Sequence, residues 1–406
     1  MLALVSACGG GGASAPVQPS DPGATGLTAR PQPPAVLNQL SVIVDAGPAG
    51  SGYNVNRLYA SVTICEPGST ARCQTIDHVL VDSGSTGLRL LSSVLAPALK
   101  LPRVDASAGL ALLNCVQFVD NTYVWGPVAT ADVVLAGKVA VNVPIQIIAD
   151  PAFGSPPTDC SAGGTMMDTL ASLGAKGILG ISLFRDDCAA FCANHAANGS
   201  YYACSDAACS GTRGVKASLA QQLKNPVPLF DGDNNGVLID LPAAVATGAA
   251  SLSGALFFGI GTQSNNQMGS GAVLSTTPVG YITTVLAGKN LSTSFLDTGS
   301  NGLYFDSSEI AACADGSDGF YCPASMTSLS ATLWGVNGSN RAVAFAIDNA
   351  TAMFGARSNA VLPLLAGPAG DATTFDWGLP FFYGRRVFLG IDAERSPLGT
   401  GPYYAF

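Results

Sequence analysis

The sequence predicts a mainly β protein made of two related halves. Three observations carry the prediction: short apolar runs broken by Gly and Pro, a motif that recurs 215 residues later, and a length of 406 residues that suits two cores rather than one. The 48 Gly and 25 Pro leave few uninterrupted segments of helical length, so strands and turns are favoured. Hydrophobic residues make up 48% of the chain and charged ones 11%, so most segments must be buried or lie in uncharged loops.

In chain order, residues 1–8 read as a leader remnant and 9–40, rich in Gly, Pro, Ser and Ala, as a flexible spacer. A first half is expected over 41–226 and a second over 227–406. Apolar and β-branched runs place early strands at Ser41–Val44, Leu58–Ile64, His78–Val81, Ala131–Leu135 and Val141–Ile148. Brief helices are expected at Leu91–Leu99, Ala217–Leu223 and Ser307–Ala312. A net charge of −9, with 18 Lys and Arg in no basic cluster, argues against nucleic acid as a partner. No run of 18 apolar residues occurs, so no transmembrane helix is expected.

Cysteine usage points to an oxidising compartment. Cys8 follows Val5-Ser6-Ala7, which resembles a lipoprotein cleavage site, so Cys8 is the expected lipidation site and only membrane attachment. The residues before it carry no Lys or Arg and are short for a signal peptide, which places the expected true start upstream. The ten other cysteines are read as disulfides rather than zinc ligands, because their spacings are wide and only His195 lies among them. Cys65–Cys73 and Cys313–Cys322 are the plausible local closures. Cys115 and Cys160, and the cluster from Cys188 to Cys209, remain open in pairing. The cell envelope or the exterior is the expected location.

The duplicated motif carries the chemistry. Val79-Leu80-Val81-Asp82-Ser83-Gly84-Ser85 is matched by Ser294-Phe295-Leu296-Asp297-Thr298-Gly299-Ser300. A weaker echo follows each copy, Ile178-Leu179-Gly180 against Asp376-Trp377-Gly378. Each motif is an apolar strand entering a tight turn with Asp as its first polar residue. Gly84 and Gly299 are expected to supply the backbone conformation of the turn, and neighbouring hydroxyls to donate to the carboxylate. A repeat of this period marks two homologous lobes. If they bring Asp82 and Asp297 together, the two cannot readily ionise side by side and share one proton. Such a pair activates water with one carboxylate while the other donates a proton.

These motifs resemble those of the pepsin-like aspartic peptidases, and further similarity runs across most of residues 50–406. It includes Lys176–Gly180, Ser253–Gly261 and the closing stretch from Phe381 to Gly399. The resemblance implies a bilobed acid-protease fold with Asp82 and Asp297 as catalytic residues. It also implies that Ser83 and Thr298 lock the turns together, that Ser85 and Ser300 orient the carboxylates, and that a hairpin flap covers the substrate. Phe118, Tyr123 and Trp125 are the flap candidates. The sequence departs from the family pattern at Thr86-Gly87 and Asn301-Gly302, and at Asp376 in the second echo; no Lys-rich prosegment precedes Leu40.

Other constellations are weaker. Asp231 to Gly236 mimics the start of a calcium loop, but the closing acid is replaced by Pro242, so a solvated turn is expected. His78 and His195 lack partners at ligand spacing, and no Gly-x-Ser-x-Gly elbow occurs. The expectation is therefore a monomeric aspartic endopeptidase acting on polypeptides, with no metal and no cofactor. The alternative is an inactive protein of the same fold that binds peptides or cell-envelope polymers.

Overall fold

The computed structural model describes residues 26–107, 109–204, 209, 212–314 and 319–406. Cys8 and the spacer up to residue 25 lie outside them. The chain is mainly β: among the described residues the strands form a 17-stranded assembly, a 7-stranded sheet and a small two-stranded one, while the longest helices, Ala189–Asn194 and Ala350–Gly355, have six residues. Contacts with the folded body begin within the expected spacer. Thr28 pairs with Cys73, and the Asn38 side chain donates to the Phe258 carbonyl at 3.2 Å.

The strand Cys73–Asp82 shows why the first Asp is placed rigidly. Its final residues, Val79, Leu80, Val81 and Asp82, are all buried, because both of its edges are paired. Leu58–Cys65 runs antiparallel along one edge; Gly177–Ile181 runs parallel along the other, with Gly180 beside Asp82. Burying each Val or Leu side chain stabilises this arrangement by about 1.5–3 kcal/mol. After the turn at Asp82 the chain returns as Thr86–Leu91, antiparallel to the far side of Gly177–Ile181. The echoed strand thus sits between the two arms of the Asp motif.

The same three-strand arrangement recurs in the second half. Lys289–Leu296 is parallel to Phe375–Trp377, which is antiparallel to Leu303–Phe305. The shared Gly of the two echoes has a steric cause. A Cβ on Gly180 would stand 2.7 Å from the Ser85 carbonyl oxygen, and one on Gly378 would stand 2.1 Å from that of Gly302. Any side chain there would push the Asp turn off the strand. An aromatic cluster supports the second turn: Phe375 stacks on Trp377 at 3.8 Å, Phe345 and Phe381 meet Trp377 edge-on, and the indole donates to Thr284 Oγ1 at 2.9 Å.

The expected helices do not form. Leu91 instead completes Thr86–Leu91, paired with Ile148, and Pro97 stops continuation, leaving only a 3₁₀ turn at Ser92–Val94. At 217–223 the buried Gln222 side chain bonds the carbonyls of Ala189 and Ala217, which holds a turn. Residues 307–312 form bends, with Ala312 bridged to Tyr321. Five disulfides join Cys65–Cys73, Cys115–Cys160, Cys188–Cys192, Cys204–Cys209 and Cys313–Cys322, the pattern of a chain folded under oxidising conditions. Among the described residues no helix is long and apolar enough to cross a membrane.

Candidate active site

The two Asp turns meet, and four buried hydrogen bonds hold them. Thr298 Oγ1 accepts from the Ser83 amide at 3.1 Å and donates to the Val81 carbonyl at 2.8 Å. Reciprocally, Ser83 Oγ accepts from the Thr298 amide at 2.9 Å and donates to the Leu296 carbonyl at 3.2 Å. Each hydroxyl therefore ties its own turn to the strand that delivers the other.

Within each turn the carboxylate is fixed in the same way. Asp82 Oδ1 accepts from the amides of Gly84 and Ser85 at 2.8 and 3.1 Å, and Oδ2 accepts from Ser85 Oγ at 2.5 Å. Asp297 Oδ1 accepts from the Gly299 amide at 2.8 Å, and Oδ2 accepts from Ser300 Oγ at 2.9 Å. Gly84 and Gly299 do not have the left-handed backbone that turn chemistry suggested; among the motif glycines Gly87 does, with φ of 95°. Their need for hydrogen in place of a side chain is one of space. A Cβ on Gly84 would lie 2.8 Å from Asp297 Oδ1, and one on Gly299 2.7 Å from Asp82 Oδ1. Each carboxylate thus rests against the other turn.

This proximity has an electrostatic consequence. Asp82 and Asp297 are 5% and 9% exposed, so water solvates neither well. Burial, and then the charge of Asp82 beside it, push the Asp297 carboxyl well above its ordinary value. Both causes favour the protonated form of Asp297.

A third acid belongs to the site and was read from sequence only as an imperfect echo. Parallel pairing sets Asp376 beside Phe295, in the place that Ile178 takes in the first half. Burial, and then the Asp297 charge, raise its carboxyl well above the ordinary range, and Ser300 is among its hydrogen-bonding neighbours. Ser300 Oγ, which donates to Asp297 Oδ2, thus lies next to both acids. Its Oδ1 is buried without a partner among the described residues. The signal for it was an acid in an otherwise apolar slot.

A family model described as "Protein of unknown function (DUF3443)" matches residues 34–406. The chain belongs to the DUF3443 family. No curated protein matches it. The matched span of this DUF3443 chain includes both Asp turns, both echoes and all ten disulfide cysteines.

The hairpin of Leu110–Gln117 and Thr122–Leu135 in the DUF3443 chain carries the three flap candidates: Tyr123 and Trp125 on its returning strand, and Phe118 at the start of the tip turn, where its carbonyl accepts from the Asn121 amide at 3.1 Å. Trp125 is buried, donates to the Gly154 carbonyl at 3.0 Å and packs on Tyr202. Tyr123 joins the same cluster beside the Cys115–Cys160 disulfide, while Phe118 packs near Leu80 and Val124. Tyr123 and Trp125 are thus buried packing residues, whereas Phe118 is half-buried in the turn. The tip itself shows Val119, 86% exposed, and Asp120, whose charge acts on the Tyr304 hydroxyl seven residues beyond Asp297.

Beneath the first turn lies a second feature that sequence reading missed. Arg89, on the strand leaving that turn, is 1% exposed and donates to the Thr86 carbonyl at 2.6 Å. It faces Asp187 at 3.6 Å, and Asp187 also accepts from the Tyr201 hydroxyl at 2.6 Å. Burial pushes the Asp187 carboxyl up to about 6, against the pull of Arg89. The two histidines are engaged structurally: His78 contacts Asp77 and Asp45 at 3.0 and 3.3 Å, and His195 stacks on Phe191. Asp233 of the calcium-like stretch pairs with Lys138 at 2.8 Å.

Proposed function

We propose that the protein is a pepsin-like aspartic endopeptidase, its two halves forming lobes around a cleft in which Asp82 and Asp297 hydrolyse peptide bonds. The single observation behind the reading is the reciprocal Ser83–Thr298 lock, which sets each carboxylate against the opposite turn's glycine. In this mechanism Asp82 takes a proton from a water held between the carboxyls, and the hydroxide adds to the substrate carbonyl carbon. Asp297 donates its proton to the carbonyl oxygen, giving a neutral gem-diol. Collapse returns a proton from one diol hydroxyl to Asp297, while Asp82 passes its proton to the leaving nitrogen. The C–N bond breaks, both carboxyls return to their starting state, and no covalent intermediate forms. The hairpin tip at Val119 and Asp120 is the covering element, and Cys8 is the proposed lipid anchor that holds the enzyme in the cell envelope.

The test is hydrolysis of an unfolded protein mixture across acid and neutral pH. The expected result is pepstatin-sensitive cleavage that falls by at least ~10³-fold in Asp82→Asn and in Asp297→Asn while both variants stay folded. Cleavage that survives either substitution, or none from the unsubstituted chain at any pH, would leave the carboxylate pair without a hydrolytic role.

A further inference from the structure

Beside the second Asp turn lies a cavity of about 300 Å³ whose walls include Arg57, Arg357, Asn301, Tyr53, Phe320 and Phe354. Its two cations come from segments 300 residues apart, yet both are held in place by backbone stitching. Asn56, fully buried, donates to the carbonyls of Asn301 and Leu362, both at 2.8 Å, and accepts from the Leu362 amide at 2.7 Å and the Tyr383 hydroxyl at 2.8 Å. Arg57 follows directly, so it is fixed next to a residue of the Asp297 turn. The segment bearing Arg357 is tied to the same stretch ahead of Leu58–Cys65, because the Tyr53 hydroxyl donates to the Asn359 carbonyl at 2.7 Å and the Asn56 backbone amide donates to the Ala360 carbonyl at 2.7 Å.

Neither guanidinium has a carboxylate partner among the described residues, although eleven ion pairs form elsewhere. In a chain of net charge −9, two unpaired arginines converging on one aromatic cavity are not accounted for by the fold. A guanidinium fork binds carboxylates in a planar, two-bond geometry, and Phe320 against Phe354 offers apolar walls for the stem that carries such a group. We propose that this cavity takes a carboxylate of the bound polypeptide, so that the protein selects chains with an acid at one fixed place relative to the Asp pair. The inference rests on the reading of the cleft as a polypeptide site, and it names a substrate class within it.

The experiment is calorimetric titration of the full chain carrying Asp82→Asn, which leaves peptides uncut. The probes are N-acetylated, C-amidated octapeptides in which Glu is walked through a Gln background, and the same peptides with a free C-terminus. The expected result is one position at which Glu binds about tenfold tighter than Gln, as one added charge-assisted contact gives. That preference should vanish in Arg57→Gln/Arg357→Gln, survive in part in the Lys variants, and weaken with salt. A preference for the free C-terminus instead would support the same pocket with a chain terminus as its ligand. Equal binding of Glu and Gln everywhere with no effect of the free end, a preference unchanged in the double variant, or no binding of any peptide would overturn the proposal. Cleavage by the unsubstituted chain is scored separately: a Glu preference without cleavage removes the catalytic reading and keeps this one, and cleavage without a preference does the reverse.

Discussion

Thr298→Val removes one hydroxyl from the lock while preserving side-chain shape. Two buried hydrogen bonds disappear, from the Ser83 amide at 3.1 Å and to the Val81 carbonyl at 2.8 Å. A buried donor left unsatisfied costs about 1–3 kcal/mol, and a typical hydrogen bond contributes a net 0.5–1.5 kcal/mol or so. The expected loss is therefore about 2–4 kcal/mol, with Thr298→Ser, which keeps the hydroxyl and loses one methyl, within about 1.5 kcal/mol of the parent. Urea denaturation followed by tryptophan fluorescence reads both, as a shift in midpoint at constant slope. Because Ser83 Oγ returns two bonds to the other strand, combining Thr298→Val with Ser83→Ala should show a coupling of about 1–3 kcal/mol. Equal midpoints for Thr298→Val and Thr298→Ser, or strict additivity with Ser83→Ala, would refute the claim that these hydroxyls clamp the turns.

Two further outcomes concern the buried acids. Asp187 has a folded value of about 6, above its unfolded value near 3.9, so its contribution is complete below about pH 3.9 and is lost as pH rises through 6. Asp297 is raised by burial and by Asp82 and acts with the same sign, as does His78, raised to about 9, whose share is complete below about 6.5 and lost as pH rises through 9. The melting temperature should thus fall steadily from pH 4 to pH 9, with the Asp187 part of the slope absent in Asp187→Asn; a flat or rising profile over that range would contradict the assignment. At Asp376, Asn keeps a polar partner for Ser300 and Leu does not, so activity on a cleaved peptide should stay within about threefold in Asp376→Asn and drop about tenfold or more in Asp376→Leu. Identical kinetics in the two variants would show that Ser300 needs no support from this acid.

The parts of the site legible in sequence were those whose signal is local. Val79 to Ser85 and Ser294 to Ser300 each present an apolar run, an acid and small polar residues in contiguous order, so strand, turn and carboxylate are read together. The early strands were legible for the same reason, though Thr122–Leu135 begins well before the β-branched run that marked it. What was missed depends on pairing across distance. Asp376 reaches Asp297 through parallel pairing with Phe295, Arg89 meets Asp187 only after folding, and Arg57 and Arg357 share a cavity with 300 residues between them. The helix at Leu91–Leu99 failed because Leu91 gains more from a buried strand position beside Ile148 than an isolated turn containing Pro97 could supply. The pairings Cys188–Cys192 and Cys204–Cys209 were equally hidden, since four cysteines in a short stretch permit several connectivities.

The strand Tyr403–Ala405 lies between Val273–Ser275 and Arg385–Gly390, hydrogen-bonded along both edges. Without those three residues the neighbouring strands would present unpaired backbone edges. Cutting the chain before Tyr403 would therefore free two backbone edges at once, each able to pair with a strand of a second copy.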